Sequence, residues 1–333
     1  MKFSFTEDQR LLAETVGEVL DKACPPEAVR AAAGRGRPGP AWRALADVGL
    51  LGAHIAEEHG GLGLTPLDTV LAYEETGWYA VPGPLVETAV AAPALMPAEQ
   101  LEGIAAGAVT VSVRGAYTPY LPDADLADVL VAGTTVAARG EVALTPHESV
   151  DATRPLFTDD LDAGAAAALG PEAGTAFGGA FDAAALMTAA QLVGLGRRLR
   201  EEAVGYAGQR RQFGKVIGSF QALKHQLADV AIALEFAAPL VHRAAYALTH
   251  GAPTASRDVS AARTAASAAA HRAARTALQV HGAIGYTDEL DLRLWLNRVW
   301  ALRSAWGDDG LHRARLRAAL LDDPSGPRTV RLP

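Results

Sequence analysis

The chain has 333 residues, half of them hydrophobic and a fifth charged, a composition that excludes a disordered chain and suits about two domains of roughly 150 residues each. Acidic residues outnumber basic ones 38 to 30, and the formal net charge of −8 argues against nucleic acid as a partner. The single cysteine, Cys24, excludes an intrachain disulfide and a thiolate metal cluster, and fits a reducing, cytoplasmic setting.

No targeting or membrane segment is expected. The first residues carry charges where a signal peptide needs an apolar run, and the longest apolar stretches are broken by Arg, Asp or His. Thr6-Glu7-Asp8-Gln9 reads as a capping box, and Leu11, Leu12, Val16, Val19 and Leu20 come after it at helical spacing. A second short helix is predicted from Trp42 to Leu51, ended by Gly49 and Gly52. Gly60-Gly61-Leu62-Gly63 reads as a turn, and Thr65-Pro66 opens a third helix with proline at the tolerated first position. Pro82, Pro84 and Pro93 punctuate the next stretch of chain.

From about Gly107 to Leu156 the texture changes. Val109 to Val113 alternates with period two, and Val129 to Val131 and Val142 to Leu144 are short β-branched runs, so a small β region is predicted. From about Asp182 to Leu321 the pattern is helical again. Phe220, Leu223, Leu227, Val230, Leu234, Ala237 and Val241 step by three and four, as in the packing seam of a bundle. Pro239 is expected to kink that helix. An Ala-rich helix is predicted from Asp258 to Val280, ended by Gly282, and another from Leu290 to Trp306. The fold class is mainly α with a small β domain, divided at 1–106, 107–178 and 179–333.

Several patterns dissolve on inspection. Gly194-Leu195-Gly196 has Leu199 where a dinucleotide loop needs a third glycine, and it lies in a helical pattern, so it reads as a close helix contact. His54 to His59 is one residue off any zinc-helix spacing, and no metal is expected. His225, His242 and His250 lie scattered on helices without a paired carboxylate in the pattern.

Two patterns remain. In Arg210-Arg211-Gln212-Phe213-Gly214-Lys215, a helix ends in two arginines before a tight turn, and a new helix starts at Phe220-Gln221. Arginine offers a planar fork for a diphosphate, and a helix N-terminus favours the same anion. Gln279-Val280-His281-Gly282-Ala283-Ile284-Gly285 is a second helix-to-loop turn, whose small residues let backbone amides approach a ligand.

Together with Ile55-Ala56-Glu57-Glu58-His59-Gly60-Gly61-Leu62-Gly63, Leu121-Pro122-Asp123-Ala124-Asp125 and Asp151-Ala152-Thr153-Arg154-Pro155-Leu156, these motifs resemble the acyl-CoA dehydrogenase family over nearly the whole chain. The resemblance implies an N-terminal α domain, a reduced middle β domain and a C-terminal four-helix bundle. It implies FAD, bound by Arg210, Gln212, Phe213, Ile217 and Phe220 and, across an interface, by Gln279, Gly282, Ala283 and Gly285. Ala283 stands where the family usually has glycine, and no counterpart of the family's Thr-Glu-Pro flavin loop is present.

The family's reaction removes an α-proton from an acyl-CoA with a carboxylate while a hydride leaves the β-carbon for the flavin. Aligned through Gly307, the usual base position holds Trp306, and the family's second base location, on the first bundle helix, holds Ala184. Asp182 is roughly 200° round that helix from Ala184 and is expected to point away. Only Asp308 or Asp309, by a loop shift, would substitute. The resemblance therefore implies a base-lacking subunit of a heteromeric dehydrogenase of the kind acting on steroid side-chain CoA esters, with a second dehydrogenase-like subunit and an electron-accepting flavoprotein as partners. The alternatives are a self-sufficient homo-oligomer using Asp308 or Asp309, and a non-catalytic helical scaffold without flavin.

Overall fold

A computed structural model describes residues 4–34, 39–115, 117–133, 135–161, 167–168, 173–287 and 289–322. Helix α1 (Glu7–Ala23) opens on the capping box: the Gln9 amide donates to Thr6 Oγ1 at 3.2 Å and the Thr6 amide to Gln9 Oε1 at 2.9 Å. The Gln9 side-chain amide also donates to Asp68 Oδ1 at 2.9 Å, tying α1 to a later helix. Helix α2 (Pro26–Ala32), which the sequence pattern does not announce, opens on proline. Helix α3 runs Pro40–Asp47, earlier and shorter than the predicted Trp42–Leu51, because the chain turns off at Gly49 with φ +81°. Helix α4 (Pro66–Trp78) begins on a second capping box, Thr65 with Asp68. The proline-punctuated stretch becomes a π-helical turn, Glu87–Ala91, and α5 (Ala98–Ala105) comes next.

The β region holds strands β1 (Val111–Arg114), β2 (Leu121–Pro122), β3 (Val129–Ala132), β4 (Thr135–Ala138), β5 (Leu144–His147), β6 (Leu156–Asp159) and β7 (Ala167–Ala168). They form two small sheets, in the orders β1-β3-β4-β7 and β2-β6-β5. β1 and β3 run parallel with Val111 opposite Val129, and the other pairs are antiparallel. The predicted Val142–Leu144 strand is displaced to β5, because Arg139–Glu141 forms a 3-10 turn. A separate small core of Leu121, Leu130 and Phe157 holds this region together.

The remainder is the bundle: α6 (Ala173–Gln209), α7 (Gln221–Thr249), α8 (Ala255–His281), α9 (Leu292–Leu302) and α10 (Asp309–Arg317). Between α6 and α7 lies a hairpin of β8 (Arg211–Gln212) and β9 (Lys215–Val216). The predicted α7 seam faces inward, with Val230, Leu234, Ala237 and Val241 buried, and the helix continues through Pro239. α9 stops four residues short of Trp306. There, fully buried Arg263 on α8 donates to the carbonyl oxygens of Leu302 and Ala305, ending the helix from the side. Against the sequence expectation, α6 and α7 are by length and composition apolar enough to cross a bilayer. α6 is enclosed by the bundle, whereas α7 leaves Ile232, Phe236 and Leu240 exposed at four-residue spacing.

The Gly194 and Gly196 pair is packing. A Cβ on Gly194 would lie 1.8 Å from the Glu74 carbonyl oxygen on α4, and one on Gly196 2.5 Å from Leu234 on α7. Gly77 makes the reciprocal approach, its Cβ position 2.0 Å from the Gln191 carbonyl oxygen. We expect Gly194→Ala to cost about 3 kcal/mol or more, since backbone must move. Gly205→Ala, on the same helix with nothing within 4 Å, is expected to add about 0.5–1 kcal/mol through helix propensity. Urea unfolding of both variants checks the contrast.

Candidate functional site

Where the β region meets the end of α9, a cavity of about 160 Å³ opens. Val113, Tyr120 and Leu156 wall it on one side, Trp300, Ala305 and Trp306 on the other, with Glu87 and Arg154 also lining it. Trp306 is buried and left-handed, with φ +53°, and Gly307 comes next at φ +94°. Two such residues in sequence turn the chain sharply between α9 and α10. A Cβ on Gly307 would lie 2.7 Å from Leu311 and 2.8 Å from His312 Nε2, so glycine is required there.

The corner is pinned from both sides. His312 Nε2–H donates to the Trp306 carbonyl oxygen at 3.0 Å, which assigns Nδ1 as acceptor from Ser260 Oγ at 3.3 Å. The His312 ring stacks on Phe181, which also meets Trp306 edge-on at 6.1 Å. Trp306 Nε1–H donates to Glu87 Oε1 at 3.2 Å, and Arg154 Nη2 donates to the same oxygen at 2.8 Å. Burial alone would lower the Arg154 guanidinium; the Glu87 carboxylate beside it, with Asp123 and Asp151, reverses this and raises it. Behind, Arg298 bonds Asp151, the Val81 carbonyl oxygen and Thr153 Oγ1. Burial pushes the Asp151 carboxyl up, but the Arg298 charge and hydrogen bonds from Arg298 and Thr153 bring it below the usual range.

The residues singled out as base positions behave differently from one another. Ala184 is fully buried and presents only a methyl group. Asp182 is held by Arg315 at 2.7 Å and by Ser256, on α10 and α8. Asp308 caps α10, its Oδ1 accepting from the Leu311 amide at 2.8 Å. Asp309 accepts from Arg303 at 2.9 Å. Neither Asp308 nor Asp309 lines the cavity; both carboxylates are engaged in closing the α9–α10 corner. His242, expected to have no carboxylate partner, in fact meets Glu74 Oε1 at 2.8 Å.

Sequence reasoning missed Glu87. It is 1% exposed, lines the cavity, and its Oε2 has no hydrogen-bond partner among the described residues. The available signal was a lone acid inside Leu85-Val86-Glu87-Thr88-Ala89-Val90, an otherwise uncharged and largely apolar run.

The two dinucleotide motifs come to one end of the bundle, since α6 and α8 end together where Tyr206 stacks on His281 at 4.3 Å. Arg210, Gln212 and Phe213 are exposed on the hairpin, Ile217 and Phe220 half-buried behind them. Phe213 is 90% exposed and left-handed at φ +52°, a bulky side chain held outward at a backbone cost. Opposite, the 3-10 turn Gly282–Tyr286 leaves Gln279, Gly282 and Ala283 exposed and buries Gly285. Gly282 has φ +64° and open space at its Cβ position. These surfaces fit the diphosphate and adenine arm of FAD. The 160 Å³ cavity does not fit the flavin ring with Trp306 in place, because ligand pockets begin at about 300 Å³. Among the described residues no cluster suits a metal ion.

An α-helical start, a small β middle and a helical bundle define an acyl-CoA dehydrogenase architecture. Residues 6–98 match the acyl-CoA dehydrogenase N-terminal domain and residues 174–321 the acyl-CoA dehydrogenase C-terminal domain. The chain belongs to the acyl-CoA dehydrogenase family of oxidoreductases. It is 35% identical over 322 residues to acyl-CoA dehydrogenase IpdE2 of Mycolicibacterium smegmatis, covering 94% of this chain and 99% of that protein. With IpdE2 of Mycobacterium tuberculosis it shares 35% over 307 residues, 88% and 91% of the two chains. Its fold superposes on the ChsE4-ChsE5 complex from Mycobacterium tuberculosis with a TM-score of 0.83 at 23% identity, covering 98% and 100%. A steroid acyl-CoA dehydrogenase variant gives 0.82 at 24%, covering 93% and 96%.

Two buried imidazoles make stability depend on pH. Burial, reinforced by the Arg263 charge, pushes His312 down to about 4, and burial does the same to His54. Both titrate near 6.5 when unfolded, so the unfolded chain takes up protons first as pH falls. Their contribution is complete above pH 6.5 and lost towards pH 4, by up to about 3 kcal/mol each at ~1.4 kcal/mol per pKa unit. The melting temperature is expected to drop across this window and the drop to be shallower in His312→Gln; an unchanged slope would contradict the assignment.

Proposed function

We propose that this chain is the base-lacking subunit of a heteromeric acyl-CoA dehydrogenase. The observation that carries the reading is Trp306. An indole N–H only donates, so it takes no proton from a substrate, and its ring fills the seat of the family's carboxylate. The alternative bases are engaged elsewhere: Asp308 caps a helix, and Asp309 pairs with Arg303.

The rest of the reading concerns what the chain lends to a partner. Arg210 and Gln212 would hold the FAD diphosphate by charge and hydrogen bonding, Phe213, Ile217 and Phe220 would offer apolar surface to the adenine side, and the Gln279–Gly285 turn would present backbone amides across an interface. FAD held there would supply a hydride acceptor. The exposed Ile232, Phe236 and Leu240 stripe supports a partner, since a helix apolar on both faces is ordinarily covered on both. The likeness to a steroid acyl-CoA dehydrogenase variant supports a steroid-derived CoA thioester as substrate, and an electron-accepting flavoprotein would reoxidise the flavin.

Flavin content tests the proposal. The natively assembled complex is expected to hold one FAD per two chains, and the chain alone to hold little and to oxidise no acyl-CoA with an artificial acceptor. Arg210→Ala is expected to lower flavin occupancy of the complex at least tenfold without shifting the melting temperature of the chain. Stoichiometric FAD and turnover in the isolated chain would overturn the reading.

A further inference from the structure

We propose that Trp306 is a built-in ligand: its indole fills a retained binding seat whose chemistry selects a flat heteroaromatic ring carrying an N–H donor. The inference stands on this chain's own cavity and needs neither flavin nor partner.

Three observations carry it. The indole arrives on a strained corner, φ +53° at Trp306 and +94° at Gly307, so the backbone has been bent to deliver the ring. The ring is received by a specific hydrogen bond, Nε1–H to Glu87 Oε1 at 3.2 Å. The surface that receives it is not collapsed. Glu87 and Arg154 line both the 160 Å³ cavity and a second, inner cavity of about 10 Å³ walled by Thr188, Gln191 and Arg298. The buried Glu87 Oε2 and Thr188 Oγ1 there have no hydrogen-bond partner among the described residues.

The chemistry of that floor sets the class of ligand. The buried carboxylate there is an acceptor: Glu87 Oε1 takes the indole N–H together with Arg154 Nη2, and Oε2 is open. A planar ring with an N–H satisfies Glu87 and stacks where Phe181 now meets the indole edge at 6.1 Å.

The test removes the plug in the full-length chain. In Trp306→Gly, indole is expected to raise the melting temperature at least twice as much as 1-methylindole, which lacks the donor, and to leave the unmodified protein unshifted. Equal shifts from both compounds, or none beyond those of the unmodified protein, would overturn the proposal. Where Trp306→Gly does not fold, a double-mutant cycle of Trp306→Phe with Glu87→Gln by urea unfolding decides. Non-additive midpoints support the seat, and additive ones refute it. Neither readout involves flavin, so failure here is distinguishable from failure of the subunit reading.

Discussion

A carboxylate with 1% exposure has to be neutralised or compensated where it lies, and most of the distinctive features of this chain stem from how Glu87 is compensated. Arg154 brings the charge and Trp306 brings a neutral donor, both to Oε1. Glu87 sits on the π-helical turn after the N-terminal helices, Arg154 between β5 and β6, and Trp306 after α9. One oxygen atom therefore joins all three regions of the molecule. Arg298, reaching from α9 to Asp151, Thr153 and the Val81 carbonyl, repeats the same three-way tie a few residues away.

That tie closes the cavity at the end of α9, whereas the turns at the far end of α6 and α8 stay open. The arm, with Arg210, Phe213 and Gly282, is exposed and open, its bulky side chain held outward on a left-handed residue. The cavity beside β1 and α9 is closed by an indole and a buried ion pair. A scaffold shared with a family does not carry the family's chemistry by itself; the groups at the reacting centre do.

The parts of the structure legible in the sequence were those set by local rules. The Thr6–Gln9 box, the Gly282 stop and the inward seam of α7 each depend on a few neighbouring residues, and each stands where the pattern put it. The Gly194 and Gly196 contact was legible because glycine inside a helical pattern has few other uses. What escaped was fixed from a distance. α9 ends where Arg263, on another helix, takes its last carbonyl oxygens, and nothing between Leu290 and Trp306 announces that. Glu87 was invisible for the same reason. Its partners lie 67 and 219 positions away, and on its own it is one acid in an apolar run.

The identity of residue 306 is then a joint matter rather than a simple loss. Replacing the family's carboxylate by a small residue would have left Glu87 facing an empty space with only Arg154 for company, and a second carboxylate at 306 would sit against Glu87 as a like charge in a buried setting. A ring of indole size fills the volume, and its single N–H supplies the donor that the acceptor-rich floor lacks, without adding charge. Phenylalanine meets the first demand and not the second; serine or threonine meets the second and not the first. Tryptophan meets both, which is why the strained φ at this position is tolerated: the hydrogen bond to Glu87 and the His312 clamp on its carbonyl hold the conformation from either side.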